Sequence, residues 1–184
     1  MDKTQNNALF QTKLLNPLKS DNETPWAFVI LPKNVSEILP RRGRTSVVAK
    51  INGHGFTATL DPDGQLSHWL KVSKELQNTA GVMAGDLVTL EIEPVEKEPE
   101  PDMPFDLQQA LATTPAAQSV WEDITTIARL DWIHWITSAK QDKTRVKRIK
   151  DACNMLSERK RRVCCFDTSG FYSKALGSPQ AEEC

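Results

Sequence analysis

The sequence predicts an α+β protein in which a small β-barrel of about six strands is followed by a compact helical domain. Three observations carry that expectation. Short β-branched and aromatic runs with turn punctuation occupy the first half. Apolar residues recur at helical spacing in the second half. Between them lies PVEKEPEPDMP, Pro94 to Pro104, whose four prolines each remove a backbone donor and fix φ while Glu96, Glu98, Glu100 and Asp102 repel one another. The expected division is therefore a barrel over 1–93, an acidic linker over 94–104, a helical domain over 105–160 and a disordered tail over 161–184.

In the first half, Ala8 to Leu15 and Pro25 to Leu31 read as strands, the second with both faces apolar and Pro32 at its end. Val35 to Leu39 is long enough for one helical turn, with Asn34 or Ser36 available as cap. Ser46 to Ile51 and His54 to Leu60 flank Asn52-Gly53, a pair that tolerates the two positive φ angles of a type I′ hairpin. Asp61 to Gly64 is a turn by its residue chemistry, and Leu66 to Val72 is the next strand. An EF-hand loop begun at Asp61 fails, because Leu66 and Val72 stand where the loop needs glycine and glutamate. Ser73 caps a short helix over Lys74 to Thr79, with Gly81 beyond its end, and Leu87 to Ile92 alternates as a last strand. Six short strands with two single-turn helices suit a closed or partly open barrel, which leaves few exposed edges.

In the second half, Asp106 caps a helix over Asp106 to Ala112, and Pro115 opens the following one. On that helix Trp121, Ile124, Thr125 and Ala128 form one stripe, and Trp132, Trp135, Ile136 and Ala139 form the next; both are read as core. The last helix, Lys143 to Glu158, carries Val146, Ile149, Cys153 and Leu156 on one side, with Arg145 and Arg148 flanking them. From Arg159 onward periodicity disappears.

Charge is the clearest functional signal. The 184 residues have a formal net charge of -1, which argues against a generally basic nucleic-acid coat protein. That total conceals ten basic residues against three acidic ones from Lys140 to Arg162. The candidate binding residues are Lys140, Lys143, Thr144, Arg145, Lys147, Arg148 and Lys150, with Arg41, Arg42 and Arg44 as a second basic patch. Two internal alternatives stand against an external anion: Arg145 and Arg148 pair with carboxylates of their own module, for example Glu122, Asp123 or Asp131, while the lysines are merely solvated, or the acidic linker covers the helix.

No catalytic, metal or cofactor constellation is expected. His54, His68 and His134 lack ligand spacing and are read as structural or surface residues, although a barrel mouth gathering Asp61, Asp63, His68 and Asp86 is a third, enzymatic option. Cys153 reads as a small core residue; Cys164, Cys165 and Cys184 read as reduced thiols of the tail. Without a basic and apolar leader or a run of ~18 apolar residues, the expected location is the cytoplasm, with no membrane partner.

Several of these segments together resemble the bacterial YdeI/OmpD-associated, bacteriocin-protection family: PWAFVILP at Pro25 to Pro32, VVAKING at Val47 to Gly53, KELQNTAGVMAGDLVTLEIE at Lys74 to Glu93, DLQQAL at Asp106 to Leu111, and WIHWITSAKQDKTRVKRIKDACNML at Trp132 to Leu156. The resemblance covers about residues 8 to 160. It implies a double-split-type barrel followed by a helical domain, a link to stress or bacteriocin tolerance, and no established reaction. The expectation is a non-enzymatic interaction protein with a protein partner or self-association; the alternative is binding of nucleic acid or another polyanion through the last helix.

Overall fold

The computed structural model describes residues 7–18, 25–163 and 177–182. The chain forms two compact units, one from 1–97 with 176–184 and the other from 98–175. Between β6 and α3 no helix or strand runs from 95 to 104, where the prolines forbid one.

The first unit contains β1 (Ala8–Lys13), β2 (Trp26–Ile30), α1 (Lys33–Glu37), β3 (Thr45–Ile51), β4 (His54–Pro62), β5 (His68–Ser73), α2 (Lys74–Ala80) and β6 (Leu87–Pro94). Its six strands form one curled antiparallel sheet in the order β1-β6-β3-β4-β5-β2. The sheet's ends approach at an isolated bridge, where Leu15 and Phe28 exchange backbone bonds of 2.8 and 2.9 Å. Inward-facing residues of every strand, among them Val29, Ala49, Leu60, Leu70 and Leu90, make one apolar core. Asn52 and Gly53 take φ values of 45° and 85°, so the β3–β4 hairpin turns as its dipeptide predicts. Ser73 Oγ accepts from the Leu76 amide at 3.2 Å, and Gly81 closes α2 in the left-handed region at φ 68°.

Local chemistry moves three details from their expected places. β1 ends at Lys13, and Leu15 is left as the bridge to β2. β5 starts at His68 because Leu66 has φ 68°, which no strand accommodates. α1 follows Pro32 without a side-chain cap, since Ser36 turns its hydroxyl elsewhere.

The second unit contains α3 (Phe105–Ala112), α4 (Pro115–Asp123), α5 (Thr126–Thr137) and α6 (Asp142–Ser157). Helix α6 packs against each of the other three. Its buried face is Ile149, Ala152, Cys153 and Leu156, whereas Val146, expected on that stripe, is 67% exposed. The stripe from Trp121 to Ala128 is also broken: Ile124 is extended, and Thr125 Oγ1 accepts from the Ala128 amide as the N-cap of α5. A threonine hydroxyl able to satisfy a free amide ends one helix and begins the next. Asp106 lies inside the first turn of α3 rather than at its cap, which is Pro104. Trp132 is fully buried and meets Trp135 edge to face, with centroids 6.0 Å apart.

The expected tail is more engaged than its composition implies. Trp132 Nε1 donates to Arg161 O at 3.4 Å and Val163 is buried, so packing passes residue 160. In the first unit, Leu18 N donates to Gln180 O and Glu182 N to Asn16 O, at 2.7 and 2.9 Å. Backbone pairing of this kind needs no apolar periodicity, which is why the sequence pattern missed it. Cys164, Cys165 and Cys184, with residues 166–176 and 183 of the expected tail, lie outside the described residues.

Candidate functional site

Helix α6 separates its basic residues into two sets. Arg145 Nε and Nη2 donate to Asp106 Oδ2 and Oδ1 at 2.6 and 3.0 Å, a two-pronged pair joining α6 to α3. Arg148 Nη1 donates to Trp135 O at 2.7 Å, and its guanidinium lies 5.5 Å from the Trp135 ring centre. These arginines hold the helical unit together. Arg145 thus pairs with a carboxylate of its own module, as one internal alternative has it, and that carboxylate is Asp106 where Glu122, Asp123 and Asp131 were the examples; Asp123 accepts from Arg161 at 2.6 Å.

The lysines form the other set. Lys140, Lys143, Lys147 and Lys150 are all exposed, and 143, 147 and 150 follow the i, i+4, i+7 spacing of one helix face. Lys147 Nζ pairs with Asp151 at 2.6 Å, while Lys140, Lys143 and Lys150 form no ion pair among the described residues. Thr144 is half-buried beside them. The linker's Glu100 accepts from Arg129 at 2.8 Å and from Thr126 at 2.7 Å, so this carboxylate is committed to α5.

The Arg145 hydrogen bond holds the Asp106 carboxyl below its ordinary range, and Asp106 in turn raises the Arg145 guanidinium. A lowered carboxyl pKa contributes stability above the unfolded value of about 3.9, and that contribution is lost as pH falls through the folded value. Both side chains are partly exposed, so solvent limits the pair to under about 1 kcal/mol. The stability difference between wild type and Arg145→Ala is expected at neutral pH and to shrink below about pH 4, as urea titrations at each pH will show.

The first unit places His68 in a different setting. Its ring is 1% exposed, with Nδ1 2.6 Å from Ser36 Oγ and Nε2 2.9 Å from Gly43 O. The Gly43 carbonyl can only accept, so in the neutral ring Nε2 carries the proton and Nδ1 takes the Ser36 hydroxyl hydrogen. Asp61 pairs with Arg44 at 2.5 Å, Asp63 Oδ1 accepts from the Gln65 and Ser67 amides, and Asp86 Oδ2 accepts from the Met83 amide. Each carboxylate expected at a barrel mouth has its own partner, and no hydrogen bond joins any of them to His68 among the described residues.

Arg44 is 4% exposed and therefore belongs to the interior, not to an exposed basic patch. Arg41 and Arg42 line a cleft of about 200 Å³ that also includes Ser36, Leu39, Pro40 and Leu66. The Ser36–His68 pairing had no local signal: the two residues are 32 positions apart on a helical turn and a strand. Cys153 is buried and accordingly raised in pKa, as suits an inert core thiol. Among the described residues, no three His, Cys, Asp or Glu gather as a metal site, and no helix is long and apolar enough to cross a membrane.

A curled six-stranded sheet followed by a helical unit cinched by internal arginines defines a two-module α+β protein. Residues 10–92 match the family model described as Domain of unknown function (DUF1905), and residues 100–159 match that described as Bacteriocin-protection, YdeI or OmpD-Associated. By these two matches the chain belongs to the YdeI/OmpD-associated, bacteriocin-protection family. No curated protein matches the chain.

Proposed function

We propose that this member of the bacteriocin-protection family is a cytoplasmic interaction protein whose helical unit acts by binding, without cofactor or metal, and docks a polyanionic macromolecule such as nucleic acid on the lysine face of α6. The supporting observation is the division of labour on that helix. Arg145 and Arg148 are engaged inside the unit, which fixes the helix, while Lys140, Lys143, Lys147 and Lys150 project outward around the exposed Val146. Lysine ammonium groups on flexible stems suit a phosphate backbone, where position matters less than charge.

Binding of labelled mixed-sequence DNA, followed by fluorescence anisotropy, is expected to weaken steeply as salt rises from about 50 to 200 mM. Lys140→Ala, Lys143→Ala and Lys150→Ala together are expected to flatten the log-log salt dependence by about 2–3, since each phosphate no longer neutralised lowers the slope by about 0.9. Arg145→Ala is a poor probe of the same face, because it also loosens the α3–α6 pair. Wild-type protein that ignores DNA and heparin at low salt, or a triple variant with an unchanged slope, overturns the reading.

A further inference from the structure

Strand β1 leaves one of its two edges open. Successive residues of a strand turn their backbone groups to opposite edges, and the two bonds just beyond Lys13 set the phase. Leu14 N donates to Asp86 O at 2.9 Å on the β6 side, and Leu15 N donates to Phe28 O at 2.8 Å on the β2 side. Ala8, Phe10 and Thr12 therefore spend their amides and carbonyls on β6, and Leu9, Gln11 and Lys13 turn theirs the other way. Among the described residues β2 pairs with that edge at Leu15 alone, and no backbone bond reaches the peptide groups of Leu9, Gln11 or Lys13. All three residues are exposed, Leu9 at 72%.

An open edge is a template for another strand, and proteins usually blunt it with proline, with charge or with a covering segment. The outer edge of β2 is blunted: Pro25 and Pro32 flank it, and Phe28 at its centre is bonded to Leu15. β1 has no proline over Ala8–Lys13, a single charged residue, and a leucine on its outer face. Its edge also complements itself. Laid antiparallel on a second β1 about a two-fold axis through Gln11, Leu9 faces the partner's Lys13 and Gln11 faces the partner's Gln11. No like charges then meet, the two glutamine amides can bond each other, and every facing pair is of the kind that exchanges both of its backbone bonds.

We propose that the open edge of β1 is the interface between two copies of this chain, joined antiparallel with Gln11 on the two-fold axis, so that the two curled sheets continue into one another. The register is set by the edge itself. Sliding the pair one way requires the peptide groups of Leu15, which belong to Phe28, and sliding it the other way carries the pairing past the end of the strand at Ala8. Pairing of one six-residue strand with its copy buries less than the roughly 1,200 Å² at which stable interfaces begin, so the dimer forms at high concentration and dissociates on dilution. The interface lies in the first unit and makes no use of the lysine face of α6.

Sedimentation velocity of the full chain over about 5–500 μM is expected to show a monomer–dimer equilibrium. Gln11→Pro removes a backbone donor that β6 does not use, and should leave a monomer at every concentration with the circular dichroism and urea midpoint close to those of the wild type. Gln11→Lys and Gln11→Glu test the register with the backbone intact. Each alone brings like charges face to face and should weaken the dimer by about 2–5-fold, whereas the two mixed in equal amounts should associate more tightly than either alone. A wild type that stays monomeric throughout, or a Gln11→Pro variant that dimerises as the wild type does, overturns the proposal. A mixture that associates no better than its components overturns it as well, because Gln11 would then not face its own copy. None of these measurements involves DNA, so failure here is separate from failure of the binding reading.

Discussion

Trp132→Ala is expected to unfold the helical unit at ordinary temperature. The indole is fully buried where α5 meets its neighbours, packs edge to face on Trp135 at 6.0 Å, and donates to the Arg161 carbonyl. Truncating a buried tryptophan to alanine costs about 3–5 kcal/mol, combining the forfeited transfer energy with the cavity left behind. Small domains hold only about 5–15 kcal/mol in total, and a unit of this size sits toward the low end. Far-ultraviolet circular dichroism should therefore lose most of its helical signal. Trp132→Phe, which keeps an aromatic ring but loses the indole donor, should cost much less, so a small effect of both would show that the core is organised around another residue.

The outline of this fold was legible because its signals are local. Asn52-Gly53 names a turn by the φ angles its residues tolerate, Ser73 and Gly81 bracket α2 by capping chemistry, and the prolines after β6 exclude a continuous element. Signals that depend on a distant partner were not legible. Arg145 chose Asp106, 39 positions away, over nearer carboxylates in sequence. Nothing in the spacing of Ser36, Gly43 and His68 announces that a helical turn, a loop and a strand converge on one ring. Val146 shows the same limit within a single helix: its place on the apolar stripe is right by periodicity, yet the stripe is wider than the neighbouring helices cover, and Ala152 is buried instead. The candidate lysines stand exposed, whereas Arg145 and Arg148 turn into the unit, and spacing along the chain does not announce that separation.

Removing the carboxylate of Asp61 is expected to destabilise the first unit more than removing its exposed ion pairs. Arg44 is 4% exposed, and its Nε donates to Asp61 Oδ1 at 2.5 Å, whereas the pair of Lys50 and Glu91, at 3.4 Å, is open to solvent on both sides. Exposed pairs contribute about 0–1 kcal/mol, because water screens them and two long side chains must be ordered. Taking away Asp61 removes a charged hydrogen-bond partner from a guanidinium that is itself buried, and Asp61→Ala is therefore expected to cost about 1–3 kcal/mol. The sign of a second substitution distinguishes this account from simple loss of packing. If loss of the Asp61 carboxylate beside a buried guanidinium causes the damage, Arg44→Met added to Asp61→Ala should recover stability, since an apolar side chain of similar length no longer needs that carboxylate. Urea midpoints of the wild type, both single variants and the double variant measure that coupling. A double variant less stable than Asp61→Ala alone would mean that Arg44 supports the fold through its other partners rather than through Asp61.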